Sequence, residues 1–228
     1  MSKCTLGFSC TLLFILIGSL AKAQDWANLD NYKSDNKELG LPSANENRVV
    51  FMGNSITEGW SRASPKFFEG KHYINRGISG QTTAQMLVRF RQDVIKLKPS
   101  VVVILAGTND IAGNTGPVTL EMILDNIISM TELAKSNGIK VILCSVLPAF
   151  DYPWSPGKQP FDKIPRLNEM IRNYAEDNQL IYLDYFSKMA DERMGLKEEY
   201  SSDGVHPNNA GYKIMEPLVD DALERVMR

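Results

Sequence analysis

From residue 48 to the C-terminus, short apolar runs alternate with longer amphipathic segments, and few folds accept that rhythm. It predicts strands over 48–52, 73–75, 101–106, 140–146 and 180–183. Three of these are nearly pure Val, Ile and Leu, as strands covered on both faces should be. Between them apolar residues recur at three and four: Leu120, Ile123, Ile127, Met130 and Ala134 in one segment, Ile164, Leu167, Ile171 and Tyr174 in another. A weaker stripe passes through Leu87, Phe90 and Val94. Met215, Leu218, Ala222 and Val226 stripe the last helix, whose first turn suits Pro207. Strands alternating with helices imply an α/β domain with a five-stranded parallel sheet. The 228 residues fit one such domain, with no repeat, low-complexity tract or interdomain linker.

The N-terminus has a different character. Lys3 precedes an apolar stretch from Phe8 to Leu20, and Ala21-Lys22-Ala23 has the small-x-small form that signal peptidases cut after. The stretch is shorter than the roughly 20 residues of a membrane span, so residues 1–23 read as a cleaved signal peptide and the protein as secreted or periplasmic. Cys10 precedes the apolar run instead of following it, which disfavours lipid attachment. Cleavage removes Lys3 and Lys22 but no acid, taking the formal charge from −2 to −4. That balance disfavours a nucleic-acid partner, and without a basic amphipathic helix there is no support for membrane attachment after cleavage. Of three cysteines, Cys4 and Cys10 go with the signal, leaving Cys144 in an apolar run as a buried, inert thiol. No disulfide framework is possible, and one Cys with two His makes no structural zinc site. Residues 24–47 read as a polar arm laid over the domain of 48–228, pinned by Trp26 and Tyr32.

In an open parallel sheet, ligands bind outside the carboxyl ends of the strands. Four loops there carry chemistry: Gly53-Asn54-Ser55-Ile56-Thr57, Arg76-Gly77-Ile78-Ser79-Gly80, Gly107-Thr108-Asn109-Asp110, and Asp203-Gly204-Val205-His206-Pro207 leading into the last helix. Each has an ordinary alternative. Ser55 with Glu58 three residues on fits a capping box, Gly77 fits a turn, and Asn109 and Asp110 fit turn positions. Together they supply what acyl transfer needs. A serine hydroxyl is a weak nucleophile until a base takes its proton, and the base works best when a third group fixes its tautomer. Asp203 and His206 meet both needs from one loop. The N–H groups of Ser55 and Gly77 and the side-chain amide of Asn109 are candidate oxyanion donors. His72 precedes the second strand, at the opposite edge of the sheet, which leaves His206 as the base and His72 as structural or exposed.

These residues resemble, in order, the four blocks of the SGNH hydrolases, also called the GDSL esterase/lipase family. Within it the chain is similar to secreted bacterial acylhydrolases related to platelet-activating-factor acetylhydrolase catalytic subunits and carbohydrate acetylesterases. The resemblance implies a flavodoxin-like three-layer α/β/α fold, with Ser55 as nucleophile, Gly77 and Asn109 completing the oxyanion hole, and Asp203 and His206 as carboxylate and base. It implies neither metal nor organic cofactor. One departure is Asn54, where the family usually has Asp.

The expected activity is hydrolysis of short acyl esters, acetyl first, of a carbohydrate or other small alcohol. The segment 148–161 carries Phe150, Tyr152, Trp154 and Phe161 among four prolines, and is expected to wall the substrate cleft. A lysophospholipase or thioesterase of the same family is the alternative, as is a non-catalytic glycan-binding protein using the same cleft. An α/β-hydrolase elbow would read G-x-S-x-G, but Thr57 stands in its last position. Glycine-rich phosphate loops are missing from the sequence, which excludes the common nucleotide-binding variants of this architecture.

Overall fold

A computed structural model describes residues 25–228; the expected signal peptide lies outside the described residues. The strands are β1 (Val49–Gly53), β2 (Tyr73–Gly77), β3 (Val101–Leu105), β4 (Lys140–Cys144) and β5 (Ile181–Leu183). All neighbours pair in parallel, in the order β2-β1-β3-β4-β5. The helices are α1 (Lys33–Leu39), α2 (Ser55–Ala63), α3 (Pro65–Phe68), α4 (Thr83–Asp93), α5 (Thr108–Ala112), α6 (Leu120–Ser136), α7 (Pro160–Asp177), α8 (Phe186–Met189) and α9 (Asn209–Met227).

Side chains alternate across the pleat and build two cores. Val50, Met52, Val102, Ile104, Val141 and Leu143 face α4, α6 and α7 through Phe90, Ile127 and Leu167. Val49, Phe51, Val101, Val103, Ile142 and Cys144 face α2 and α9 through Trp60, Met215 and Val219. The result is the flavodoxin-like three-layer sandwich. Every residue of β1 and β3 is buried, which is why those strands read as unbroken apolar runs.

Several boundaries differ from the sequence reading for identifiable reasons. β1 starts one residue later than expected, at Val49; Arg48 is buried just before it, its guanidinium pairing with Glu46 at 2.7 Å and donating to the carbonyls of Gly40 and Leu97. The expected fourth strand ends early, at Cys144. Beyond it Asn168 of α7 accepts from the Val146 N–H at 2.7 Å and donates to its carbonyl at 3.0 Å, replacing the ladder. Pro207 lies outside α9: Asn208 caps that helix by accepting from the Gly211 N–H at 3.0 Å.

The arm is held differently from expectation as well. Tyr32 does pin it, donating its hydroxyl to the Gly77 carbonyl while the Arg76 guanidinium lies 4.5 Å from its ring centre. Trp26 leaves its ring half exposed; its main-chain carbonyl accepts from Gln85, and the neighbouring Ala27 is the buried residue. His72 sits at the amino edge with its side chain 64% exposed, far from the loops that matter. Cys144 is buried, and burial pushes its thiol above the ordinary range, leaving it inert. Among the described residues, no helix is long and apolar enough to cross a membrane.

Candidate active site

β1 ends at Gly53, where a Cβ would fall 2.0 Å from Thr57 Oγ1, so only glycine lets the chain turn directly into α2. Asn54 caps that helix, its Oδ1 accepting from the Ile56 N–H at 3.0 Å. The cap is therefore Asn54 and not Ser55, and Glu58 instead accepts the Ser79 hydroxyl. Asn54 is buried and shapes the turn through that cap. Ser55, the first residue of α2, is left with a free role for its hydroxyl: Oγ lies 2.9 Å from His206 Nε2.

His206 comes from the loop before α9. Asp203 Oδ1 accepts from the main-chain N–H groups of Val205 at 2.9 Å and His206 at 2.8 Å, folding the loop around the carboxylate. Its Oδ2 lies 2.7 Å from His206 Nδ1. Burial alone would push the carboxyl up, but the bonds from His206 main chain, His206 side chain and Val205 outweigh it and hold the value at about 2. An ionised carboxylate only accepts, so Nδ1 carries the proton and Nε2 presents its lone pair to Ser55.

Asn109, the second residue of α5, is 3% exposed and donates from Nδ2 to the Gln81 carbonyl at 2.9 Å. Gly107 makes the approach possible at φ 125°, where a Cβ would meet Leu167 at 2.9 Å. Asp110 ties this loop to the start of α4: its oxygens accept from the Thr83 N–H at 3.0 Å, and Oδ1 accepts from Thr83 Oγ1 at 2.6 Å. Burial pushes the Asp110 carboxyl up to about 6 despite those bonds.

Gly77 has a different part from the one expected of it. Its N–H already donates to Asn75 Oδ1 at 2.9 Å, so it is not free for a ligand. What requires glycine there is packing: a Cβ would lie 2.1 Å from the Glu58 main-chain nitrogen. The loop's other glycine, Gly80, takes φ 76° beside Gln81, and its carbonyl accepts from Asn114 Nδ2 at 3.0 Å.

The four aromatic residues of the 148–161 segment divide into three roles. Tyr152 is fully buried, with its hydroxyl 2.9 Å from Thr108 Oγ1, so it is core and cannot stack on a ligand. Phe150 and Phe161 stack on each other at 5.3 Å, and the Arg193 guanidinium covers Phe150 at 4.8 Å. Phe150 lines a crevice of about 310 Å³ that also touches Asp203 and Gly204. Trp154 is the ring beside the chemistry, 5.9 Å from the His206 imidazole, with Nε1 donating to Asn114 Oδ1 at 3.2 Å. Asn114, which the sequence reading missed, thus joins three loops; its only local signal was a polar residue soon after Asn109.

The flavodoxin-like sheet thus brings a hydroxyl, an imidazole and a carboxylate into line at its carboxyl edge. Residues 51–214 match the model of the GDSL-like Lipase/Acylhydrolase family. The chain belongs to that family and is a carboxylic ester hydrolase. It is 50% identical to a GDSL-like lipase from Bacteroides thetaiotaomicron, with a TM-score of 0.85 over 87% of this chain and 98% of that one. It is also 26% identical to the platelet-activating factor acetylhydrolase IB subunit alpha2 of Rattus norvegicus, over 86% of this chain and 85% of that protein. An acetylxylan esterase of Xylanibacter ruminicola is 26% identical over 82% of this chain; the chain spans 45% of that protein's length.

Proposed function

We propose that this protein is an exported esterase that removes short acyl groups, acetyl first, from a carbohydrate or other small alcohol, using Ser55, His206 and Asp203. The observation that carries the reading is the alignment of Ser55 Oγ, His206 and Asp203 at 2.9 and 2.7 Å. Ser55 attacks the acyl carbon as His206 Nε2 takes its proton, and the oxyanion collapses as the same proton passes to the departing alcohol. Water then gives a proton to His206 as its oxygen attacks the acyl carbon, and the second oxyanion collapses as His206 passes that proton to Ser55 Oγ, releasing the acid and restoring the free enzyme. Asp203 stays ionised and stabilises the imidazolium.

For the oxyanion, three donors fit: the N–H of Ser55, which opens α2 and has no helical acceptor, the second Nδ2 hydrogen of Asn109, and the N–H of Gly80 in place of Gly77. The acyl preference is supported by relatives named for acetyl esters and by Trp154, a bulky ring whose centre lies 5.9 Å from that of the His206 imidazole. A panel of esters of increasing acyl length, with acetylated xylooligosaccharides alongside, tests it. Preference for acetyl is expected, and higher kcat/KM on long acyl chains would overturn the choice. Covalent labelling by a fluorophosphonate at Ser55 tests the chemistry, and unlabelled folded protein would instead favour a glycan-binding role. Export is tested by the N-terminus of the secreted protein, expected at Gln24.

A further inference from the structure

Asn109 has two amide hydrogens, and the one given to the Gln81 carbonyl decides where the other points. Gln81 is therefore a control point, and it is 1% exposed. Its side chain is gripped from both ends. Nε2 donates to the carbonyl of Ala27 in the arm at 2.8 Å, and Oε1 accepts from Arg89 Nε. Arg89, wholly buried, also donates from Nη2 to the Gly53 carbonyl at 3.0 Å, two residues before Ser55, and pairs through Nη1 with Asp93 at 3.0 Å. The free oxygen of Asp93 accepts from Asn36 Nδ2, on α1, at 2.7 Å. One guanidinium thus references the nucleophile turn and the Asn109 acceptor to each other, and the arm closes the network from outside.

We propose that Gln81 is a positioning residue that aims the Asn109 amide at the oxyanion, held in register with Ser55 by Arg89 and by the arm carbonyl of Ala27. The proposal rests on the reading of Asn109 as an oxyanion donor. A buried amide whose oxygen and nitrogen are both engaged has one orientation, and misplacing a donor by about 1 Å can cost as much as 10²-fold in rate. The arm is on this view part of the catalytic frame and not a cover.

Replacing Arg89 would strand the buried Asp93 and confuse folding with catalysis. Gln81→Met keeps the volume and removes both side-chain bonds. With a p-nitrophenyl acetate assay, it is expected to lower kcat by about 10- to 100-fold with KM little changed, since the oxyanion exists only beyond the ground state. Gln81→Glu keeps an acceptor for Arg89, and is expected to retain more of kcat and to serve where the Met variant folds poorly. The deciding step is a double-mutant cycle with Asn109→Ala: acting through Asn109, either Gln81 change should add little in that background. Losses that multiply would overturn the proposal, and so would full kcat in folded Gln81→Met. Full activity in Asn109→Ala itself would overturn the reading of the site beneath it, a distinct outcome.

Discussion

Ser55 Oγ and His206 Nε2 meet at 2.9 Å although 151 residues separate them in the chain. Parallel pairing explains the meeting: every strand delivers its carboxyl end to one edge, and α2 starts where β1 stops. Asp203 adds the orientation by binding both the main chain and the ring of His206. This makes the imidazole's tautomer a property of one short loop. Asp203→Asn should therefore keep the fold and lose activity by about 10⁴-fold, because an amide facing Nδ1 allows the wrong tautomer. Single-turnover rates on an activated ester measure this, and a loss below tenfold would contradict it.

Gly77 and Gly80 should separate on substitution. In Gly77→Ala the new Cβ has no room against the Glu58 main chain, and β2 must move away from α2. A loss of stability of several kcal/mol is expected, read as a lower urea midpoint, as for an overpacked core site. Gly80 has only one atom within 4 Å of such a Cβ, so Gly80→Ala meets mainly the backbone cost of φ 76°, about 1–2 kcal/mol. Its effect should appear in kcat instead. Equal destabilisation by both would refute this division.

Asp110 predicts a pH dependence of folding. Its carboxyl is pushed from the ordinary 3.8 to about 6 by burial, so the native state prefers it protonated. The sign follows: at low pH the group is neutral in both states, and stability is lost as pH rises from about 4 through 6, then stays level. The loss is roughly 3 kcal/mol at neutral pH, at about 1.4 kcal/mol for each pKa unit. In Asp110→Asn this slope should vanish, so its urea midpoint should rise relative to the unsubstituted protein between pH 4 and 7. Parallel curves for the two proteins would refute it.

Much of this molecule is legible in its sequence because the information is local. Val101 to Leu105 reads as a buried strand from its own composition, and the Asp203 to His206 spacing brings carboxylate and imidazole into one turn. What escapes sequence reading is set by partners distant in the chain. Whether the Gly77 N–H can donate depends on the Asn75 side chain that accepts it, and the Gly77 carbonyl is taken by Tyr32, 45 residues away. β4 stops where Asn168 of another helix takes over its backbone bonds. Tyr152 looked like a cleft aromatic until Thr108 supplied its buried hydroxyl with a partner. Gln81 gave no signal at all, since its importance lies in three contacts made by two atoms of its side chain and its carbonyl.

Trp154 offers a test of how the cleft sets acyl length. Its ring is 45% exposed, so removing it opens the site without emptying the core, and the fold should survive. The indole does two things at once: it stands against His206 and anchors through Nε1 to Asn114, whose amide holds the Gly80 carbonyl. Trp154→Phe keeps a ring but cuts the anchor, whereas Trp154→Ala removes both. If the ring bounds the acyl site, Trp154→Ala should raise the ratio of kcat/KM for hexanoyl over acetyl esters by about tenfold or more, in keeping with 1–3 kcal/mol for a methylene admitted to an apolar pocket. Trp154→Phe should leave that ratio nearly unchanged and lower kcat on acetyl esters, because the Gly80 loop loses its tie. A ratio unmoved in Trp154→Ala would place the acyl boundary elsewhere, and the Phe150 and Phe161 stack would then be the next wall to open.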